Sequence, residues 1–155
     1  MNIFILDNDI ERNARFHCDQ HVVKMILESA QLLCTALNKK GYETPYRSTH
    51  VHHPCVHWTE ASYSNFQYLS NLALALNREY RYRYKAEEDH KSVAVIREIQ
   101  HMEFEDIGLT EFAQAMPEVH KVAGDAVAAY RKFYNAEKLK FATWTRRRKP
   151  HWIKQ

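Results

Sequence analysis

The chain opens on an apolar run, Met1 to Leu6, broken only by Asn2. It reads as a short extended segment entering the core. Asp9 is placed to cap a short helix, Ile10 to His17, and Asp19 to cap a longer one from Gln20 to about Lys39, with Gly41 as its stop signal. The apolar positions of the longer helix are Val22, Val23, Met25, Ile26, Leu27, Ala30, Leu32, Leu33, Ala36 and Leu37. They cover most of its circumference, which predicts a central, buried helix.

Residues 42–53 carry no such period and read as a loop. Pro54 suits the first turn of a new helix. From there the pattern stays helical to about Tyr84, with a break near Ser62 and a buried stripe at Phe66, Leu69, Leu72, Ala73 and Leu76. A third helix is expected from Glu88 to His101, and a short one after Thr110 that Pro117 interrupts. Asp125 caps a last helix, 125–140, with Val127, Tyr130, Phe133 and Tyr134 facing inward. The expected fold class is all-α: a compact single domain, 1–155, of four or five main helices, with a tail at 141–155 docked on it.

Composition narrows the classes. Among 155 residues there are 3 Gly and 4 Pro, too few for flexible linkers or for a sandwich that needs a turn every few residues. Three Cys in no paired pattern imply no disulfide framework and suit a reducing, cytoplasmic setting. No apolar run is long enough to span a membrane, and the first residues lack the pattern of a signal peptide. The net charge of +3 hides an asymmetry. Residues 1–120 hold 12 Lys/Arg against 17 Asp/Glu, whereas residues 121–155 hold 10 against 2. A basic end of this kind suits a phosphate-bearing partner.

Three patterns carry candidate chemistry. On the central helix, His21, Lys24, Glu28, Gln31 and Thr35 follow at spacings of three and four and share one narrow face between apolar flanks. A mixed stripe of this kind suits the wall of a polar cleft, where Lys24 and Glu28 would serve acid–base work, with Gln31 and Thr35 as substrate contacts. The second pattern is histidine: six of the ten lie between 17 and 57, and His50, His52, His53 and His57 crowd one short stretch after Arg47. They admit three readings: substrate contact by Arg47, His50 and His53, a metal site, or helix capping with exposure. The third is aromatic–basic interleaving, at Arg78 to Lys85 and at Trp144 to Trp152. Arg83 is a further substrate-contact candidate. Trp144 and Trp152 are expected to dock the tail and hold Arg146, Arg147, Arg148 and Lys149 against nucleic-acid phosphates.

The order of these features resembles the pyrimidine-dimer DNA glycosylases of the phage endonuclease V type. The resemblance rests on Cys18 to Glu28, the loop Thr49 to Pro54, the long helix through Arg83, Ala115 to Glu118, the last helix, and Arg148 to Trp152. It implies a small all-α, cofactor-free, phage or bacterial enzyme that acts on DNA. In that family the N-terminal α-amine attacks the sugar C1′, helped by a helix glutamate, here Glu28. The family exposes a small residue at its N-terminus, whereas residue 2 here is Asn, too large for routine removal of Met1. The resemblance therefore leaves two routes: the Met1 amine itself serves, or Glu28 activates a water.

The leading expectation is thus a monomeric DNA N-glycosylase with Glu28, Lys24, His21 and Met1 as its catalytic group. Two alternatives stand beside it. One is a metal-dependent phosphodiesterase using His17, His21, His50 and His53; the other is a non-catalytic nucleotide- or nucleic-acid-binding protein.

Overall fold

A computed structural model describes residues 1–154. Among them the structure is all-helical and contains no strand. The helices are α1 (Ile10–Phe16), α2 (Asp19–Lys39), α3 (Pro54–Ala61), α4 (Tyr63–Tyr84), α5 (Ser92–Ile99) and α6 (Ala126–Phe133). A 3₁₀ turn, Glu118–His120, precedes α6, and a π-helical turn, Tyr134–Lys138, continues it.

The apolar circumference of α2 has the predicted consequence. Val22, Ile26, Leu32, Leu33, Ala36 and Leu37 are fully buried, and α2 packs against α3, α4 and α5. Each such Leu or Ile removed from water contributes about 1.5–3 kcal/mol, which makes α2 the axis of the core. Ile3 to Leu6 are buried without becoming a strand. Their backbone is satisfied by a side chain instead: Leu6 N donates to Asn13 Oδ1 at 2.8 Å, and Asn13 Nδ2 donates to the Phe4 carbonyl at 3.0 Å.

Three expectations need correction. Asp19 does not cap α2; the cap position is Cys18, and Asp19 stands in the first turn with its carboxylate turned to the tail. The break expected near Ser62 is present and divides the run into α3 and α4: Ser62 is extended (φ −158°, ψ 142°) and its hydroxyl donates to Asp106 Oδ1 at 2.8 Å. The third helix starts at Ser92 rather than Glu88. Asp89 is held instead by Asn77, Arg81 and Arg97, which keeps the preceding turn strapped to α4. The short helix expected directly after Thr110 is absent. Residues 103–114 run as an irregular strap whose polar groups are met from α3 and α4: Tyr63 N donates to the Glu105 carbonyl, Thr110 N to Asn65 Oδ1, and Asn65 Nδ2 to Thr110 Oγ1. The last helix keeps its Asp125 cap, donated to by Ala128 N, but its α-helical part ends at Phe133.

The tail folds back on the domain. Trp144 is buried, with Nε1 donating to the Phe16 carbonyl at 2.9 Å. Half-buried Trp152 lies edge-on to Phe16 and Tyr134, and Arg131 stacks on its ring.

Candidate active site

The buried Ile3–Leu6 segment delivers the chain start to the polar face of α2. There the Met1 α-amine lies 3.3 Å from Glu28 Oε1, and Lys24 Nζ lies 3.7 Å from Glu28 Oε2. Met1 and Glu28 are nearly enclosed, whereas Lys24 is exposed. Glu28 Oε1 is buried and accepts no hydrogen bond, so the α-amine faces it as an ion pair rather than an aligned bond. A primary amine beside a carboxylate with free acceptor capacity is the arrangement an amine nucleophile requires. The carboxylate takes up the proton that must leave before the nitrogen lone pair can attack.

Asn2 holds this start in place. Its Nδ2 donates to the Ala115 carbonyl at 2.9 Å. Its Oδ1 accepts from Ile3 N at 2.8 Å, from the Tyr130 hydroxyl at 2.8 Å and, at 3.8 Å, from Cys55 Sγ. One side chain thereby joins the N-terminal segment to α3, α6 and the strap before the 3₁₀ turn. Burial pushes the Cys55 thiol up to about 12, so it is a packed donor and not a thiolate.

His53 borders the same region. It caps α3, its Nδ1 accepting from Cys55 N at 3.0 Å, which leaves the proton of the neutral ring on Nε2. Its pKa is lowered by partial burial first, then by the positive charges of the Met1 amine and His50, against the opposing pull of Glu28. His50 and Arg47 are exposed on the loop leading to it, and His50 adopts a left-handed backbone (φ 50°). Gln31 is half-buried. Thr35 is buried and tied to that loop, its Oγ1 accepting from Thr49 N at 3.1 Å.

His21 is turned into the core. Its ring stacks on Phe4 at 4.3 Å between centroids, and Nδ1 lies 2.5 Å from the Tyr134 hydroxyl. Burial foremost, and then the charges of His17, Lys138 and Lys24, bring its pKa down to about 3. The ring is therefore neutral at ordinary pH. Phe141, partly exposed, meets it edge-on at 5.7 Å. His17 is equally enclosed, with Nδ1 2.7 Å from the Asn13 carbonyl and a pKa brought down to about 4 by burial. Among the described residues no three His, Cys, Asp or Glu side chains converge on a point that could hold a metal ion.

Arg83 lies away from this face. Its guanidinium is fully buried and spent on the carbonyls of Arg15 and His17 and the carboxylates of Asp19 and Glu79. It pins α4 to the α1–α2 junction. Asp19 also accepts from Thr143 Oγ1 (2.7 Å), Thr145 Oγ1 (2.6 Å) and Thr145 N, which fixes the tail where it turns. Arg147 is bound to Glu79 through Nε and Nη2, and Arg146 donates to the Tyr82 carbonyl at 2.8 Å. Both guanidinium groups lie over the Tyr82 ring, at 4.2 and 4.1 Å. Arg148 and Lys149 are exposed, and no ion pair engages them among the described residues.

The structure thus gathers Met1, Lys24, Glu28 and His53, leaves Gln31, Arg47 and His50 on the same helix face and its flanking loop, and turns His21 into the aromatic core. It separates Arg83 and the tail from them. Sequence reasoning missed the anchoring bonds of Asn2 and Tyr130 and the part Asp19 and Glu79 play in holding the tail. For Asn2 there was a signal, since it is the one polar residue in an apolar run. Concavities of about 570 Å³ beside Arg131 and Trp152, about 300 Å³ beside Tyr63 and Gln100 and about 290 Å³ beside Phe112 and Asp125 include neither Met1 nor Glu28. Comparisons with protein-family models, with curated proteins and with solved structures give no match to this chain.

Proposed function

We propose that this protein is a DNA N-glycosylase that excises a damaged or modified base, using the Met1 α-amine as nucleophile and Glu28 as its proton acceptor. The observation that carries the reading is the 3.3 Å approach of that amine to a buried carboxylate oxygen with no other donor. The amine loses a proton to Glu28, and its nitrogen attacks the sugar C1′. The C1′–N bond to the base breaks, its electron pair leaves with the base, and the base takes up a proton. Opening of the sugar ring, with the ring oxygen protonated, gives an imine between Met1 and C1′, which water hydrolyses to an abasic site. Where a base instead removes the C2′ proton, the 3′ phosphate departs and the strand is cut.

Lys24, at i−4 from Glu28 and 3.7 Å from its carboxylate, offers its exposed ammonium to a phosphate. Gln31, Arg47, His50 and His53 supply polar contacts to the nucleotide, and Arg148 and Lys149 are free to meet the backbone further off. In this reading His21, stacked on Phe4, and Arg83 and Arg147, bound to Glu79, serve the scaffold.

Borohydride reduction in the presence of abasic-site DNA tests the reading. The expected result is a covalent adduct that peptide mapping places on the Met1 nitrogen. Base release with no adduct would transfer the chemistry to a water activated by Glu28 Oε1. Neither adduct nor base release from any lesion tested would leave a binding protein.

A further inference from the structure

Resting on that reading, we infer that Asn2 is the positioning residue of the nucleophile and also selects which amine serves: it keeps Met1 on the chain and, with Tyr130, locks the Met1 nitrogen beside Glu28. Two independent properties of one side chain lead here. The first is size. Cellular methionine aminopeptidases remove an initiator methionine before a small residue, and Asn lies above that limit. Were Met1 removed, the new terminal amine would belong to residue 2, one residue further along the chain from Glu28. Consecutive Cα atoms are about 3.8 Å apart, enough to break a 3.3 Å ion pair.

The second property is bonding capacity. An Asn side chain offers two donors and two acceptor lone pairs. Here one donor goes to the Ala115 carbonyl, and Oδ1 receives Ile3 N and the Tyr130 hydroxyl. The Tyr130 hydroxyl is itself held, accepting from Ala115 N at 3.2 Å and lying 3.0 Å from the Ala113 carbonyl. Tyr130 is fully buried on α6. The position of the first backbone nitrogen is therefore referred to the rigid α6 through two side chains, with no flexible link between them. Asp would keep the acceptor and lose the donor. Leu would keep Met1 and lose every bond. Ser would lose both the bonds and Met1.

The test uses the full chain, abasic-site DNA, borohydride trapping and N-terminal mass analysis. Wild type is expected to retain Met1 and form the adduct. Tyr130→Phe and Asn2→Leu, both retaining Met1, are expected to trap at least about tenfold more slowly while DNA affinity changes little, because a displaced nucleophile costs rate rather than binding. Asn2→Ser is expected to lack Met1 and trap about a hundredfold more slowly. The same variant, produced with methionine aminopeptidase inhibited, keeps Met1 and should regain trapping to the level of Asn2→Leu, a rescue that a merely structural role would not give. Thermal unfolding of each variant separates misfolding from misplacement, and Tyr130→Phe preserves the ring packing if the Asn2 variants fail to fold. Wild-type trapping matched by both Tyr130→Phe and Met1-free Asn2→Ser would overturn this inference and leave the glycosylase reading intact. Absence of wild-type trapping would overturn both.

Discussion

The guanidinium of Arg147 and the carboxylate of Glu79, 68 positions apart, meet through two hydrogen bonds of 2.9 and 2.8 Å. Glu79 is buried and shared, since Arg83 binds its Oε2 from the other side. Arg83 also grips Asp19, whose remaining acceptors go to Thr143 and Thr145. The tail is thus latched to the domain through buried acids, with one buried arginine between them.

Removing either partner of that latch should have unequal effects. Glu79→Ala removes the partner of Arg83 Nε and frees Arg147 at once, leaving the fully buried guanidinium to Asp19 and two carbonyls, and an orphaned buried charged donor costs about 3 kcal/mol. Arg147→Ala leaves Glu79 still paired to Arg83, and because Arg147 is partly exposed the cost should be nearer 1 kcal/mol. Urea unfolding of the two variants measures the difference. Equal losses would mean that Asp19 and the two carbonyls satisfy Arg83 without Glu79.

Much of the architecture was legible because it depends on period. The apolar circumference of α2 and the stripe on α4 express burial directly, and the Asp9, Asp125 and Pro54 signals mark helix starts through local bonding. The rest depends on partners distant in sequence. Asp19 looked like a cap because Asp at that position usually is one, but Thr145, 126 residues away, takes its oxygens. The strap around Asp106 and Thr110 is non-helical because α3 and α4 supply its hydrogen bonds. In the candidate site, the stripe of α2 disclosed Lys24 and Glu28 but not that His21 faces inward. Spacing places a residue on a face; whether Phe4 stacks over it is a tertiary fact.

Stability should fall as the medium turns acid, starting above the range where carboxylates titrate. Burial lowers the folded-state pKa of His17 to about 4 and of His21 to about 3, against an ordinary value of 6.5. Below pH 6.5 the unfolded chain takes up protons that the folded chain refuses, so each histidine's contribution is intact above 6.5 and is lost as pH falls toward its folded value. Between pH 6 and 5 each histidine changes the unfolding equilibrium up to about tenfold. Urea midpoints should be nearly flat between pH 8 and 7 and should drop between pH 6 and 5. Replacing His21 by Phe should reduce that drop, and an unchanged slope would show that His21 is protonated in the folded protein.

Glu28→Gln separates chemistry from architecture. The amide is isosteric and can still stand beside the Met1 amine, but it accepts no proton. Under the proposed mechanism adduct formation should slow by about 10²–10⁴-fold, the usual worth of a positioned general base, with thermal melts on the same samples measuring the loss of the ion pair separately. Lys24→Ala, which removes an exposed partner at 3.7 Å, should slow it far less. The comparison is single-turnover trapping at saturating DNA. Glu28→Gln at wild-type speed would remove the carboxylate from the mechanism.

Salt dependence of DNA binding should show which tail cations are available to phosphate. A cation that neutralises a phosphate releases condensed counterions and contributes close to one unit to the slope of log K against log salt. Arg148 and Lys149 are exposed and without an ion-pair partner among the described residues, so Arg148→Ala and Lys149→Ala should each reduce the slope by about 0.7–0.9. Arg147 is already neutralised by Glu79 and displaces little counterion charge on binding. Arg147→Ala should therefore leave the slope nearly unchanged while lowering stability, the opposite pattern to its two neighbours. Anisotropy titrations over a range of salt, with circular dichroism melts on the same samples, resolve the two patterns. A slope reduced equally by all three substitutions would mean that the Arg147–Glu79 latch opens when DNA binds.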